Sequence, residues 1–309
     1  MHYIYRPEGK LLDTPENREA MKDSRSLELA AEKGTVLEAR AVLCDSQHNM
    51  VVDLGCMKGV IQREEGARGI AEGTVRDIAL ISRVGKPVCF VVKEVTSDRL
   101  GRPYALLSRR EVQDRCVAEQ ISCLRPGDVI DARVTHLEPF GAFVDIGAGL
   151  PSMISIDAIS VSRISHPRDR FTVDMDIRAV VRAKEDDGRV VLSHRELLGS
   201  WMENASRFRP GETVAGIVRS VEDYGVFVEL APNLAGLAEY RDGIAVGSGA
   251  SVFIKSIIPE RMKIKLVLVD TFRAASQPSP PEYSFRGDHI SRFVYSPPSC
   301  GRVVETVFN

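Results

Sequence analysis

The chain alternates apolar and polar residues over many short stretches, and this period of two is typical of β-strands with one buried face. Within residues 129–135, for example, Ile130, Ala132 and Val134 fall on one side of a predicted strand. An acidic turn ending in glycine at residues 186–188 separates two later stretches of this kind. Short strands joined by tight turns predict an all-β protein.

One aromatic pattern occurs twice. Phe140 and Tyr224 correspond, as do Phe143 and Phe227, and both pairs are separated by the same distance along the chain. Because successive side chains of a strand point to opposite sides, Phe143 and Phe227 fall on the face away from the apolar residues. Two rings in the polar phase indicate a platform for stacking nucleic-acid bases. The alternative is that the rings pack beneath a loop or a linker.

Longer blocks repeat around this pattern and define three related units, each with enough short strands for a five-stranded barrel. We expect an all-β chain of three tandem five-stranded OB-fold barrels, joined by short helical linkers. An N-terminal helix would precede them, and an irregular tail would follow. The expected segments are residues 1–33 (helical), 34–110, 125–196 and 209–270 (OB domains, the first degenerate), and 271–309 (a tail rich in Pro and Ser).

Helices are expected before the first barrel and in the linkers between the barrels. Thr14 followed by Pro15 has the composition of a helix start, and we predict a helix from there to about residue 31. Both linkers, at 111–124 and 196–208, contain residues that favour helices. Trp201 lies in the second linker at helical spacing from other apolar residues, so packing against a barrel is favoured over base stacking.

The charge of the chain limits where nucleic acid could bind. The formal net charge of its 309 residues is -2, so a site for nucleic acid must be a local basic patch. Four cations are predicted on outward faces, near the rings or at the end of the third unit: Arg133, Arg219, Lys263 and Lys265. His166 lies in a short basic stretch, where it could contact a phosphate or merely shape a turn.

Motifs for catalysis and for metal binding are missing from the sequence. The six cysteines form no Cys-x-x-Cys pair, and there is neither a phosphate-binding Gly-rich loop nor a nucleophile elbow. The N-terminus does not resemble a signal peptide, and no apolar run approaches the ~20 residues that span a bilayer. We therefore expect a cytoplasmic protein that is not an enzyme, with no cofactor, metal, membrane or small-molecule substrate.

Three motifs together resemble the S1 domain of the ribosomal protein S1 family. They are Pro-Phe-Gly-Ala-Phe-Val-Asp-Ile-Gly at 139–147, Ser-Arg-Ile-Ser-His-Pro at 162–167 and Gly-Arg-Val-Val-Leu-Ser at 188–193. The resemblance extends to all three units, and the arrangement is similar to the short S1-like proteins of Gram-positive bacteria. It implies the OB-fold and binding of single-stranded RNA.

The family's RNA-binding positions can be carried over residue by residue. The resemblance implies that Phe140 and Phe143, and likewise Tyr224 and Phe227, are the two second-strand aromatics. Arg189 and Lys263 match the basic position near the fifth strand. The third-strand His of the family is replaced by Ser155 in the second unit and by Glu239 in the third, and Glu185 replaces an Asp. In the first unit His48 and Val51 stand where the aromatics belong, so this unit should contribute little to RNA binding.

We therefore expect a ribosomal protein S1-like factor that binds mRNA during translation by base stacking and phosphate contacts. The small ribosomal subunit is the expected partner, and the first unit would dock on a protein. The alternatives are an adaptor between proteins that has lost RNA binding, and an RNA-processing cofactor that acts off the ribosome.

Overall fold

The computed structural model describes residues 4–186, 188–274 and 278–309. The strands of these residues close three five-stranded barrels, which confirms the predicted fold class. The chain divides into two compact units, residues 1–124 with 145–151 and residues 125–144 with 152–309. In the described part of the chain, no helix is long and apolar enough to cross a membrane.

Two short helices precede the first barrel where the sequence predicts one. They are α1 (Pro15–Ala20) and α2 (Ser24–Lys33). Thr14 caps α1 as predicted, because its side-chain oxygen accepts a hydrogen bond from the amide three residues ahead. The break arises at Asp23, whose carboxylate accepts a hydrogen bond of 2.7 Å from the Ser26 amide and so starts a new helix.

The first barrel has the strand order β1-β2-β3-β5-β4. Its strands are β1 (Leu37–Cys44), β2 (Met50–Asp53), β3 (Lys58–Ile61), β4 (Pro87–Ser97) and β5 (Pro103–Ser108). Helix α3 (Ile78–Ile81) lies between β3 and β4, and α4 (Arg110–Glu119) follows β5 as the predicted helical linker. The core holds alternate residues of the strands, such as Ala39 and Ala41 of β1.

The N-terminal residues 5–12 form a strap within the first compact unit, residues 1–124 with 145–151. The sequence did not predict this strap. The Glu8 carboxylate accepts two hydrogen bonds from buried Arg109, at 2.6 and 3.0 Å, while the Glu8 amide donates to Asp145 at 2.7 Å. One oxygen of Glu38 accepts three further amides of the strap, at 2.9–3.0 Å. Burial, with a smaller effect of the Glu8 charge, raises the pKa of both Glu38 and Asp145 to about 7.

The second barrel has the order β10-β8-β7-β6-β9. Its strands are β6 (Val129–Glu138), β7 (Gly141–Asp145), β8 (Pro151–Ser155), β9 (Asp176–Lys184) and β10 (Val190–Ser193), with helix α5 (Ile156–Ile159) after β8. Ile130, Ala132 and Val134 are buried along β6, as predicted. Asp187 of the predicted turn between β9 and β10 lies outside the described residues.

The second linker is broken into two short helical pieces. A 3-10 turn at Arg195–Leu198 is followed by α6 (Trp201–Ala205). Gly199 separates them with a φ of +86°, a conformation that few other residues adopt. Trp201 is 2% exposed and belongs to the core of the third barrel, which confirms that it packs and does not stack on a base.

The third barrel has the order β11-β12-β13-β15-β14. Its strands are β11 (Thr213–Glu222), β12 (Gly225–Ala231), β13 (Leu234–Ala238), β14 (Gly249–Ile258) and β15 (Lys263–Phe272). Val226, Val228 and Ile254 lie in its core with no exposed surface. The alternation that the sequence shows on these strands therefore separates a buried face from an outer one.

The C-terminal segment is less irregular than the sequence indicates. It ends in a two-stranded sheet of β16 (Arg292–Val294) and β17 (Glu305–Val307). Within the second compact unit, the Arg178 guanidinium donates hydrogen bonds to the carbonyls of Phe285 and Gly287, at 2.9 and 2.6 Å. Buried His194 contacts the Tyr283 hydroxyl at 3.3 Å, and burial lowers the pKa of His194 to about 4. The tail is thus anchored to the second barrel.

Candidate nucleic-acid interface

The outer face of the third barrel carries a row of three side chains on neighbouring strands. Phe227 of β12 pairs with Leu237 of β13, and Leu237 pairs with Lys265 of β15. The adjacent residues of the same strands are buried, namely Val226, Ala238 and Leu266. Because neighbours along a strand point to opposite sides, the row faces outward, as the sequence predicts for Phe227.

Two rings stand at one end of this row. Tyr224, in the turn before β12, is 70% exposed, and Phe227 is half-buried. Their ring centroids are 6.1 Å apart and their planes are almost perpendicular, at 87°. Such edge-to-face contact holds the rings in place while the exposed surface of Tyr224 remains open to a planar ligand.

The glycine inside each aromatic pattern has a steric cause. A Cβ atom on Gly225 would lie 2.4 Å from the carbonyl oxygen of Ala238, and Gly225 has a φ of +151°. A Cβ atom on Gly141 of the second barrel would lie 2.5 Å from the carbonyl oxygen of Ile154. In both barrels the second strand therefore approaches the third so closely that only glycine fits between the two aromatics.

Charged side chains surround the rings of the third barrel. Lys255, Lys263 and Lys265 line a groove of about 570 Å³ together with Tyr224 and Phe227. All three lysines are exposed, and none has an ion pair within 4.0 Å among the residues that the structure describes. Glu239 lines the same groove and is exposed as well. We name this surface, with its two rings, three lysines and Glu239, the barrel-three groove.

The second barrel has an equivalent pair of rings in less basic surroundings. Phe140 is 56% exposed and lies at 88° to half-buried Phe143, with 6.0 Å between the centroids. The ring of His136 lies beside that of Phe143, with 6.3 Å between the ring centroids. In the row beside Phe143, Met153 pairs with Val191, so an aliphatic residue occupies the position that Lys265 has in the third barrel.

The predicted cations of the second barrel are held by acids. Arg133 forms an ion pair of 2.9 Å with Asp176. Arg189 is 74% exposed and lies 2.8 Å from Glu185. A phosphate that approached either residue would compete with a carboxylate, so the second barrel offers a weaker anion site than the barrel-three groove.

The structure differs from the sequence-based expectation for Arg219. Its side chain is only 8% exposed, and it forms ion pairs with Glu229 at 2.8 Å and with Asp169 at 3.3 Å. Glu229 also pairs with buried Arg170. Arg219 does lie on the outer side of β11, but this ion-pair cluster buries its side chain. Arg219 therefore has a structural role and is not an exposed cation beside the rings.

His166 shapes its loop. Its ring Nδ1 accepts a hydrogen bond of 3.1 Å from the Arg168 amide, and the Asp169 carboxylate accepts one of 3.3 Å from the His166 amide. This reciprocal arrangement caps the 3-10 turn that begins at Pro167. The geometry therefore supports the turn-shaping interpretation of the two that the sequence left open.

The first barrel lacks the rings. Its outward row consists of Leu43, Val51, Val60 and Leu106, all aliphatic. His48 adopts a φ of +64° and lies 3.2 Å from Asp77, so it takes part in a turn. Among the described residues, no group of three or more His, Cys, Asp or Glu side chains could hold a metal ion.

The sequence did not predict Lys255 of the barrel-three groove, or Leu237, which also lines it. The outward direction of Leu237 could have been predicted from the alternation of β13, in which Leu234, Gly236 and Ala238 are buried. Lys255 lies at an irregularity in the pairing of β14 with β15, between Ile254 and Ser256. Alternation with buried Ile254 would have placed Lys255 outward, but not into this groove.

Residues 124–195 match the family model of the S1 RNA binding domain. Three relatives are small ribosomal subunit proteins bS1 or a homolog of bS1. The protein of Streptococcus pneumoniae is 30% identical over 74% of this chain and 60% of its own, that of Leuconostoc lactis 30% over 68% and 48%, and that of Bacillus subtilis 29% over 59% and 49%. These matches place the chain in the S1-domain, ribosomal protein S1-like family, as its motifs predicted.

The chain spans about half of the length of these relatives, between 48% and 60%. Among solved structures, a multidomain protein with nucleic acid binding domains from Streptococcus pneumoniae aligns with 77% of this chain and 74% of its own. The identity is 14% and the TM-score 0.25. The fold assignment rests on the strand pairing described above and not on this likeness.

Proposed function

We propose that the chain binds single-stranded RNA and that the barrel-three groove is its principal site. The observation that carries this proposal is the combination of two perpendicular rings with three exposed lysines in one groove. Nucleic-acid bases present flat apolar faces, and phosphates present negative charge. The groove offers a partner for each of these chemical groups.

Stacking and phosphate contacts have different consequences. A base stacked on an aromatic side chain contributes ~1–3 kcal/mol by alanine substitution, and stacking tolerates any base. Lysine contacts to phosphate release counterions, so their contribution falls as the salt concentration rises. Binding at the groove should therefore weaken with salt but persist in part at high salt.

The second barrel is proposed as a weaker auxiliary site. Its rings Phe140 and Phe143 could stack bases, but its row is aliphatic and its arginines are paired with Asp176 and Glu185. Two modest sites on one chain still raise the affinity for a long strand, because the second contact forms at a high effective concentration.

We further propose that this RNA is mRNA and that the chain acts in translation with the small ribosomal subunit. The support is the set of relatives, which are named as small ribosomal subunit proteins bS1. The outer row of the first barrel, with Leu43, Val51, Val60 and Leu106, consists of aliphatic residues alone and therefore fits contact with an apolar protein surface.

Titration of a fluorescein-labelled oligouridine of about 12 nucleotides, within the span of OB-fold sites, tests RNA binding directly. We expect saturable binding at low salt that weakens but persists at high salt, and much weaker binding of a duplex. No binding at low salt would refute the proposal. Co-sedimentation with small ribosomal subunits then separates a ribosomal role from a role off the ribosome.

A second candidate is an adaptor that binds proteins alone. The half-exposed Val42 and Leu43 on β1 of the first barrel favour it, because they extend the exposed aliphatic surface of the outer row. This candidate predicts co-sedimentation with ribosomal subunits or other complexes by a protein that fails to bind oligouridine.

A further inference from the structure

The barrel-three groove contains a carboxylate that binding to phosphate does not require. Glu239 follows β13 directly and lines the groove with Tyr224 and Phe227. A negative charge repels a phosphate backbone, so its presence in a groove that also holds the stacking rings and three lysines lowers the affinity for RNA in general. A contribution that depends on the base would offset this cost.

Glu239 is available to a ligand. It is exposed, and no ion pair or hydrogen bond engages its carboxylate within the described part of the chain, although three lysines line the same groove. A carboxylate in this state keeps both oxygens as acceptors. The lysines keep their donors as well, so the groove presents acceptors and donors that no side chain of the described residues occupies, beside a surface on which a base can stack.

The four bases present different edges to such a pair. The Watson–Crick edge of guanine offers two adjacent donors, N1–H and the N2 amine, followed by the O6 acceptor. Cytosine and adenine offer one amine beside an acceptor nitrogen, and uracil offers one N–H between two carbonyls. Only guanine satisfies both oxygens of a carboxylate, and its O6 can accept from a neighbouring lysine.

We propose that Glu239 makes the barrel-three groove selective for guanine in single-stranded RNA, an inference that rests on the proposed RNA-binding function. A guanine stacked on Tyr224 or Phe227 would direct its N1–H and N2 amine to the Glu239 carboxylate. Exposed edges of unpaired bases are the usual target of sequence-specific RNA recognition. The second barrel has half-buried Ser155 at the equivalent position and lacks this selectivity.

Four labelled oligonucleotides of about ten residues test the proposal, since this length covers one OB-fold site. One contains uridine throughout, and the others carry one central guanosine, inosine or adenosine. We expect the oligonucleotide with the guanosine to bind about fivefold or more tightly than the all-uridine one. A factor of about five corresponds to the lower end of the discrimination that a bidentate contact provides, ~1 kcal/mol. Inosine lacks the N2 amine and should fall between the two, while adenosine measures the gain from purine stacking alone.

Glu239→Gln provides the decisive variant. It should bind the guanosine oligonucleotide less tightly relative to uridine, and bind oligouridine at least as tightly as the wild type, because a charge that repels phosphate is gone. Glu212→Gln removes the same charge from a position just before β11, outside the groove, and should leave the guanosine-to-uridine ratio unchanged.

The outcomes separate the two proposals. A wild type that binds none of the four oligonucleotides refutes the RNA-binding function itself. A wild type that binds guanosine no better than adenosine overturns the selectivity while leaving RNA binding intact. A guanosine-to-uridine ratio that Glu239→Gln leaves unchanged also overturns the role of Glu239.

Discussion

Removing both rings of the barrel-three groove should weaken RNA binding without unfolding the barrel. The perturbation is the double variant Tyr224→Ala and Phe227→Ala. Each ring that stacks a base contributes ~1–3 kcal/mol, so the double variant should lose about 2–4 kcal/mol, allowing for the contact between the rings. This loss corresponds to a decrease in affinity of about 30-fold or more, since ~1.4 kcal/mol is tenfold.

The cost in stability should be much smaller than for a core residue. A buried Phe→Ala substitution costs about 3–5 kcal/mol, but Tyr224 is 70% exposed and Phe227 is only half-buried. We expect a loss of roughly 1–2 kcal/mol in the free energy of unfolding, scaled from these core values by burial. Urea denaturation followed by circular dichroism measures it.

Fluorescence anisotropy with the labelled oligouridine measures the affinity. The matched control is Phe272→Ala, which removes a 49% exposed ring from β15 of the same barrel, outside the groove, and should leave the affinity unchanged. If the double variant binds RNA as the wild type does, the stacking account is wrong. A large loss of stability would instead identify the two rings as core residues.

Two further predictions concern the two RNA-binding barrels, and a third concerns the strap of the first barrel. Replacing Lys263 and Lys265 with Gln should flatten the slope of log affinity against log salt by about 0.7 if one lysine contacts a phosphate and by about 1.4 if both do; an unchanged slope would show that neither lysine meets a phosphate. Phe143→Ala should weaken oligouridine binding less than Phe227→Ala in parallel titrations, and the reverse order would make the second barrel the main site. Burial raises the pKa of Glu38 to about 7 in the fold, so Glu38 stabilises the first barrel below its unfolded pKa and loses that effect as the pH rises through 7. The free energy of unfolding of Glu38→Gln should therefore gain about 1–3 kcal/mol relative to the wild type between pH 5 and pH 8, as measured by urea denaturation. A difference independent of pH would refute this prediction.

The parts of the site that sequence could predict depend on local periodicity. The outward phase of Phe227 follows from a period of two along one strand, and the glycine between the aromatics marks a close approach of two strands. Both are properties of a few consecutive residues. The same reasoning applied to Phe140 and Phe143 placed a second pair of rings on the outer face of its barrel, where the structure has them.

The parts that sequence could not predict depend on contacts between distant residues. Alternation puts Arg219 on an outer face, but it cannot show that Asp169 and Glu229 cover that face with ion pairs. The strap is a similar case, because it is held by carboxylates at positions 38 and 145, far along the chain from residues 5–12. Propensity and periodicity describe an element, and they do not describe what packs on it.

Photocrosslinking tests the central claim most directly. A single-stranded RNA containing 4-thiouridine is bound to the full chain, irradiated and digested with trypsin, and the modified peptides are mapped by mass spectrometry. We predict that the principal crosslink falls in residues 220–241, which contain Tyr224 and Phe227, with a weaker one in residues 134–163, which contain Phe140 and Phe143. Crosslinks confined to the first barrel, or none on a chain that binds the RNA, would contradict the assignment of the barrel-three groove as the RNA site.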